Sequence, residues 1–278
     1  MTDSRKLAAL CGAASVALFA VSGAAVADGY EGYAPPPPPQ ETGRKFTYSF
    51  NLTGTSDYIF RGFSQTERDP TMQGGADITY GILYGGVWAS GVDFGGTANP
   101  GDGFDAKTEI DWYGGITPSW GPATFDFGVI YYTYPAATDF AAELDYVELK
   151  AGVSGNIHKD LATGLTLYWS PEYTGATGSV WTLEGSAGYE LPKVWVFTPT
   201  IDGVLGWQTG DNAGWKGAFA NGDSSYLYWN AGLALAVEAL TFDFRYWDTN
   251  VSNTGGFCTG ATFQCDSAFV FSATVALP

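Results

Sequence analysis

Large apolar residues alternate with small or polar residues along most of the chain beyond residue 45. Residues 46–53 read Phe-Thr-Tyr-Ser-Phe-Asn-Leu-Thr, and the same alternation returns at 125–131, 240–246 and 269–275. A repeat of two residues is typical of a β-strand with one apolar and one polar face. The pattern predicts strands at 46–60, 71–80, 83–94, 105–117, 122–134, 143–155, 161–170, 179–190, 193–207, 225–238, 239–248 and 267–277.

The connections between these predicted strands alternate in length. The even-numbered connections are tight, for example at 81–82 and 191–192, whereas the odd-numbered ones are long and rich in Gly, Asn and Asp. A strand meander that crosses a membrane has short turns on the periplasmic side and long loops outside. A soluble β-sandwich gives no reason for loop length to separate by side. We therefore predict an all-β fold, a transmembrane antiparallel up-and-down barrel of about twelve strands.

The composition agrees with a membrane barrel. Aromatic residues make up 16% of the chain, and charged residues 15%, below the roughly 25% of soluble domains. Trp and Tyr recur near predicted strand ends, where their rings suit the lipid–water boundary. Any one of them would also fit a soluble core. The girdle candidates are Tyr58, Tyr84, Trp120, Tyr134, Trp169, Tyr189, Trp195, Trp207, Trp229 and Trp247.

The N-terminal region predicts export. Arg5 and Lys6 precede an apolar stretch that ends in the small-x-small site 25–27, which is typical of a secretory signal. We expect a signal peptide at 1–27, Sec-type export with cleavage near Ala27, and location in the cell outer membrane. The alternative is a retained transmembrane anchor.

A proline-rich segment separates this signal from the first strand. Residues 28–44 contain five consecutive prolines at 35–39, and such a run adopts extended polyproline II. We expect a periplasmic linker over 28–44, acting as a stiff spacer or as a ligand for periplasmic partners, and a barrel over 45–278.

The alternation also predicts which side chains face the barrel interior. A charged Arg or Lys on the lipid face costs about 2–4 kcal/mol at the bilayer midplane, so charged positions are assigned inward. Acids outnumber bases among them, so an open lumen would favour cations or neutral solutes. Alternatively, these charges pair and fill the barrel, and a count of twelve strands leaves both possibilities open. The pore-lining candidates are Asp57, Arg61, Asp77, Lys107, Glu109, Asp111, Asp126, Glu148, Lys150, Glu184, Asp202, Glu238, Asp243 and Arg245.

Asp57 and Arg61 share the inward parity at the end of the first predicted strand. They could form an ion pair or a charge gate near the outer mouth, or simply anchor a loop.

Two cysteines are expected to pair. Cys258 and Cys265 lie in the last long loop, and an exported protein meets an oxidising compartment. We predict a disulfide between them, with free thiols or an incomplete metal pair as alternatives.

Little in the sequence indicates catalysis, metal binding or nucleic-acid binding. The single histidine, His158, lies in a predicted short turn, followed by Lys159 and Asp160, and no motif supplies the nucleophile beside it that a triad requires. Asp102, Asp105, Asp211 and Asp223 could bind calcium, but no EF-hand loop surrounds them, which favours solvated loops. A net charge of −17 argues against nucleic acid. We predict no catalytic residue, metal or cofactor.

The segment 55–77 contains Thr55-Ser-Asp57-Tyr58, Arg61-Gly62, Pro70 and Gln73-Gly74-Gly75-Ala-Asp77, and residues 84–94 read Tyr-Gly-Gly-Val-Trp-Ala-Ser-Gly-Val-Asp-Phe. These motifs resemble the TorF family of proteobacterial porins. The resemblance implies an outer-membrane barrel with passive transport.

We therefore expect a porin for small solutes or ions. Its further partners would be outer-membrane lipid and the barrel-assembly machinery. The alternatives are a non-conducting structural or adhesive barrel, and a barrel-embedded enzyme.

Overall fold

The computed structural model describes residues 46–94, 105–135, 137, 143–217, 222–251, 258 and 264–278. The expected signal peptide and proline-rich linker lie outside these residues, as does the calcium candidate Asp102.

Twelve long strands dominate the described part of the chain. They are β1 (Phe46–Thr55), β4 (Thr71–Tyr80), β5 (Leu83–Gly91), β6 (Thr108–Ile116), β8 (Ala123–Thr133), β9 (Tyr146–His158), β10 (Leu161–Ser170), β11 (Val180–Glu190), β12 (Thr198–Gly210), β13 (Ser225–Val237), β14 (Leu240–Thr249) and β15 (Ala268–Leu277). Shorter elements are β2 (Ile59–Phe60), β3 (Phe63–Ser64), β7 (Ser119–Trp120), a 3₁₀ turn (Thr174–Ala176) and α1 (Ala213–Gly217).

The twelve long strands form one closed antiparallel barrel. Each pairs with its neighbour along the chain, and β15 returns to pair with β1, with Phe50 opposite Leu277 and Thr55 opposite Ser272. No barrel strand is left with an open edge, which is the condition for a sheet in lipid. The predicted fold is confirmed.

The outer face of the barrel is apolar. Along β1, Phe46, Tyr48, Phe50 and Leu52 are all exposed, whereas the residues between them are at least partly buried. Such a face suits the hydrocarbon of a bilayer. Among the described residues, no helix is long and apolar enough to span a membrane.

The short turns and the long connections lie at opposite ends of the barrel. Gly81 and Gly121 take positive φ values of 63° and 60° in two of the short turns. One predicted turn is wrong: the chain from Leu191 to Phe197 forms a longer connection, with a bridge between Val194 and Phe197, so β12 begins at Thr198 rather than at 193. His158 ends β9 and is exposed, rather than lying within a turn.

The predicted aromatic girdle is only partly correct. Trp120 and Trp195 are highly exposed at the short-turn end, at 82% and 83%. In contrast, Tyr58, Tyr134 and Trp247 are buried in the interior. Periodicity could not separate the two groups, because an aromatic ring suits both lipid and a packed barrel interior.

Candidate functional site: the barrel interior

A short hairpin folds into the barrel from the first long connection. After β1 ends at Thr55, β2 and β3 pair with each other and lie apart from the barrel sheet. Arg61 and Gly62 form the tip, with positive φ values of 48° and 87°. We call residues 57–66 the inner hairpin.

Asp57 fastens the base of the inner hairpin. The hydroxyls of Ser64 and Thr66 donate to Asp57 Oδ1 at 2.7 and 2.9 Å, and the side chain of Arg68 lies 3.8 Å from Oδ2. Asp57 therefore bonds within its own connection, whereas Arg61 bonds to Glu148 on the barrel wall. Of the possibilities stated for these two residues, the ion pair between them does not form. The loop-anchoring role describes Asp57 correctly.

Arg61 at the hairpin tip is clamped by the barrel wall. Its Nη1 and Nη2 donate to Glu148 Oε1 and Oε2 on β9 at 2.9 and 2.8 Å. The guanidinium carbon lies 4.7 Å from the ring centroid of Phe60 and 4.9 Å from that of Tyr168. Glu184 Oε1 lies 4.0 Å from Nε. A bidentate pair between rings is the geometry that a planar guanidinium favours, and Arg61 is 1% exposed.

The other side of the hairpin tip contacts a second part of the barrel wall. A Cβ at Gly62 would collide with Thr249 at the end of β14 and would lie 3.1 Å from Tyr228 on β13. The Tyr226 hydroxyl lies 3.1 Å from the Arg61 carbonyl oxygen. The inner hairpin therefore contacts the barrel wall in two places, at β9 and β10 and at β13 and β14.

Aromatic side chains fill the space around the hairpin. Tyr132 and Tyr146 stack with ring centroids 4.2 Å apart, and the Tyr132 hydroxyl donates to Glu148 at 3.1 Å. Tyr173, in the connection after β10, packs against Tyr146, and burial raises its pKa to about 12. The loop-side half of the interior is therefore filled by packed rings and the inner hairpin.

The short-turn half of the interior has a different lining. Its inward positions carry small polar side chains that remain partly exposed, and we call this region the vestibule. Its lining includes Thr79, Thr124, Ser154, Thr166, Ser186, Thr241 and Thr274. These small, partly exposed side chains leave more of the interior open to solvent in the vestibule than around the inner hairpin.

Charged groups mark the vestibule wall in two clusters. In the first, the Tyr84 hydroxyl donates to Asp126 at 2.8 Å, Lys150 pairs with the same carboxylate at 2.8 Å, and Tyr113 donates to Asp77 at 2.5 Å.

Arg245 organises the second cluster. Its guanidinium donates to both carboxylate oxygens of Asp243 at 3.0 Å, to Asp202 at 2.7 Å and to Asn230 at 2.6 Å.

Most of the charged residues predicted to face inward do lie in the interior. The buried or partly buried ones are Asp57, Arg61, Asp77, Glu109, Asp111, Asp126, Glu148, Lys150, Glu184, Asp202, Asp243 and Arg245. Glu109 accepts from the Tyr58 hydroxyl at 3.1 Å.

Two of the predicted interior residues lie elsewhere. Lys107 precedes β6 and is 62% exposed, where it pairs with Asp93 at 2.8 Å. Glu238 is exposed in the turn between β13 and β14, with a φ of 53°. Both assignments are wrong because strand alternation ends where the strand ends.

Sequence reasoning missed the aromatic partners of the site. Phe60, Tyr132 and Tyr168 contact Arg61 or Glu148. In the sequence, each of the three indicates only an apolar position in a strand. The Arg61-Gly62 pair between Phe60 and Phe63 was the available signal for a tight turn.

The predicted disulfide is confirmed between Cys258 and Cys265, whose Cα atoms lie 5.4 Å apart. Within the described ranges, no group of three or more His, Cys, Asp or Glu residues could hold a metal ion.

A closed barrel with an apolar exterior and a charged interior defines a porin-like outer-membrane β-barrel protein. The chain belongs to the family described as "Bacterial protein of unknown function (Gcw_chp)", which matches residues 39–276. No curated protein matches the chain.

The solved structures that share this fold include two porins. The KdgM porin has a TM-score of 0.52 at 8% identity, covering 83% of this chain and 99% of its own. The NanC porin has a TM-score of 0.52 at 10% identity, covering 82% and 99%. At this identity the likeness shows the architecture alone.

Proposed function

We propose that the barrel is an outer-membrane channel for the passive diffusion of small solutes. The observation that carries this proposal is the vestibule, because its small, partly exposed polar side chains leave space for solvent inside the barrel, which a filled structural barrel would not need. Transport through it is passive, so width and lumen polarity select the solute and no covalent step occurs.

The charges of the interior favour cations or neutral solutes. Among the described inward groups, the acids Asp77, Glu109, Asp111, Asp126 and others outnumber the bases Arg61, Lys150 and Arg245. A negative lining attracts cations and repels anions. We retain the twelve inward residues as pore-lining candidates.

A second function is supported by the loop-side half of the interior. Arg61, Tyr132 and Glu148 are almost completely buried there, so packed side chains fill the interior at this end. A non-conducting structural or adhesive barrel would have the same filled interior. The vestibule distinguishes the two, since only a channel needs it.

The proposal extends to the export, the linker and the assembly of the barrel. We propose cleavage of the signal peptide near Ala27, a periplasmic linker over 28–44, and insertion by the barrel-assembly machinery. The motifs at 55–77 and 84–94 support membership in the TorF porin family. We assign the protein no catalytic role.

Solute flux into proteoliposomes tests the proposed function. Vesicles loaded with the folded protein should swell in small neutral solutes and should pass potassium faster than chloride. Folding is checked independently by the shift in gel mobility on boiling. Folded protein that adds no flux for any of these solutes would support the structural barrel instead.

A further inference from the structure

The inner hairpin places a guanidinium in a cage built by the barrel wall. Glu148 supplies two acceptor oxygens, one to each Nη of the Arg61 guanidinium, and the ring centroid of Tyr168 lies 4.9 Å from the guanidinium carbon. Glu184 lies 4.0 Å away on β11. These three wall residues come from adjacent strands, so their spacing is fixed by the barrel and not by the hairpin.

The wall residues are themselves held in position. Tyr132 donates to Glu148 at 3.1 Å, and the Tyr228 hydroxyl donates to Glu184. Each carboxylate is therefore oriented by a neighbouring phenol before any cation arrives. A preorganised pair of carboxylates beside an aromatic face is the arrangement that binds guanidinium cations.

We propose that Glu148, Glu184 and Tyr168 form a guanidinium-binding site that Arg61 occupies in the closed barrel, and that a guanidinium-bearing solute displaces Arg61 and frees the inner hairpin. The inference rests on the proposed function, because it names the solute class and the gate of the same channel. The binding site itself can be tested without conduction.

The position of the hairpin explains why displacement would open the lumen. Its tip reaches Glu148 on β9 and Thr249 on β14, and the rings of Phe63 and Tyr226 pack with centroids 5.3 Å apart. The Arg61–Glu148 contact is the hairpin's bidentate ion pair with the wall. A solute that takes over this contact removes the largest charge-assisted attachment of the hairpin tip.

Chemical rescue tests the site directly. Arg61→Ala leaves the cage empty, so its melting temperature in detergent should fall below that of the wild type. Millimolar guanidinium chloride should then raise it, whereas sodium chloride at equal ionic strength should not. The double variant R61A/E148Q should show no response, since the bidentate acceptor is lost. Equal shifts with guanidinium and sodium in Arg61→Ala would overturn the proposal.

Arg68→Ala is the matched control. Arg68 lies in the same connection and contacts Asp57, but it is 24% exposed and does not enter the cage. Its melting temperature should be the same in guanidinium and in sodium. A guanidinium-specific rise in this variant as well would show general binding and would contradict the site.

A labelling experiment tests hairpin release with Arg61 in place. Phe63→Cys introduces a thiol in the hairpin, while Cys258 and Cys265 are already bonded. Maleimide should label this thiol several-fold faster in methylguanidinium chloride than in sodium chloride. Equal rates in the two salts would overturn the gate, even if Arg61→Ala failed to fold.

The two proposals fail in different ways. If guanidinium rescues Arg61→Ala while no variant conducts, the binding site stands and the channel is wrong. If the barrel conducts while guanidinium and sodium act alike in both assays, the channel stands and the guanidinium site is wrong.

Discussion

Gly232 on β13 lies directly against the guanidinium of Arg245 on β14, so that a Cβ at position 232 would come within 2.8 Å of Arg245 Cζ. The glycine lets the long side chain lie flat along the wall and reach Asp202 at 2.7 Å. Gly86 accommodates the ring of Tyr113 in the same way, because a Cβ at position 86 would lie 2.6 Å from the nearest atoms of that side chain. The two glycines therefore give these large inward side chains room to pack against the barrel wall.

Gly232→Ala should therefore destabilise the barrel. The added methyl pushes Arg245 away from its acceptors, and overpacking of this kind costs about 1–3 kcal/mol. Urea unfolding in detergent measures the change. Gly185→Ala is the control, because nothing lies within 4 Å of a Cβ there; a loss as large at 185 as at 232 would refute the packing argument.

Arg245→Met should be more damaging still. It leaves the carboxylates of Asp202 and Asp243 buried without their cation, and removal of one partner from a buried ion pair costs about 3–5 kcal/mol. The free energy of unfolding measures it.

Lys107→Met provides the comparison for Arg245→Met. Lys107 is 62% exposed beside Asp93, and an exposed pair contributes at most about 1 kcal/mol. Equal losses for the two variants would mean that burial does not set the strength of these ion pairs.

Glu109→Gln combined with Asp111→Asn should lower the cation preference of the channel. Both side chains are buried on the inward face of β6, and their removal takes negative charge from the lining. Reversal potentials in a salt gradient report the change. Glu190→Gln, exposed at the short-turn end of β11, should have little effect. An unchanged ratio in the double variant would remove these two acids from the pore.

The disulfide should protect both of its cysteines from thiol labelling. Maleimide should not react with Cys258 or Cys265 in the folded, oxidised protein, and both should react after dithiothreitol, because they are bonded to each other. Labelling of either cysteine before reduction would contradict the bond.

The barrel strands could be predicted because their pattern is repeated and locally encoded. β4 and β10 have the predicted bounds, 71–80 and 161–170. In both, apolar side chains recur at alternate positions, and clear turn residues flank the strand: Pro70 and Gly81 around β4, and Asp160 and Pro171 around β10.

The inner hairpin could not be predicted for a physical reason. The apolar positions of the first strand resume in the same register at Tyr58 and Phe60, after Gly54 and Ser56, so the pattern predicts a strand that reaches residue 60. In the structure β1 ends at Thr55, and Tyr58 is buried in the interior beside Trp88, with ring centroids 5.4 Å apart. An alternation of apolar residues indicates that one face of a strand meets apolar surroundings, but it does not distinguish lipid from a packed barrel interior.

The pairing of the charged residues could not be predicted from the sequence either. Arg61 and Glu148 were both assigned inward, yet 87 positions separate them along the chain. Parity gives the face of a residue but neither its height in the barrel nor its neighbour across the lumen. Those depend on strand register and on a connection that folds inward.

Planar-bilayer recording of the folded protein tests the central claim most directly. Wild-type barrels in a potassium chloride gradient should give stepwise currents whose reversal potential shows a preference for potassium, and Arg61→Ala should give larger or longer openings because the inner hairpin has lost its ion pair with Glu148. Folded, inserted protein that passes no current in either form would contradict a channel through this barrel.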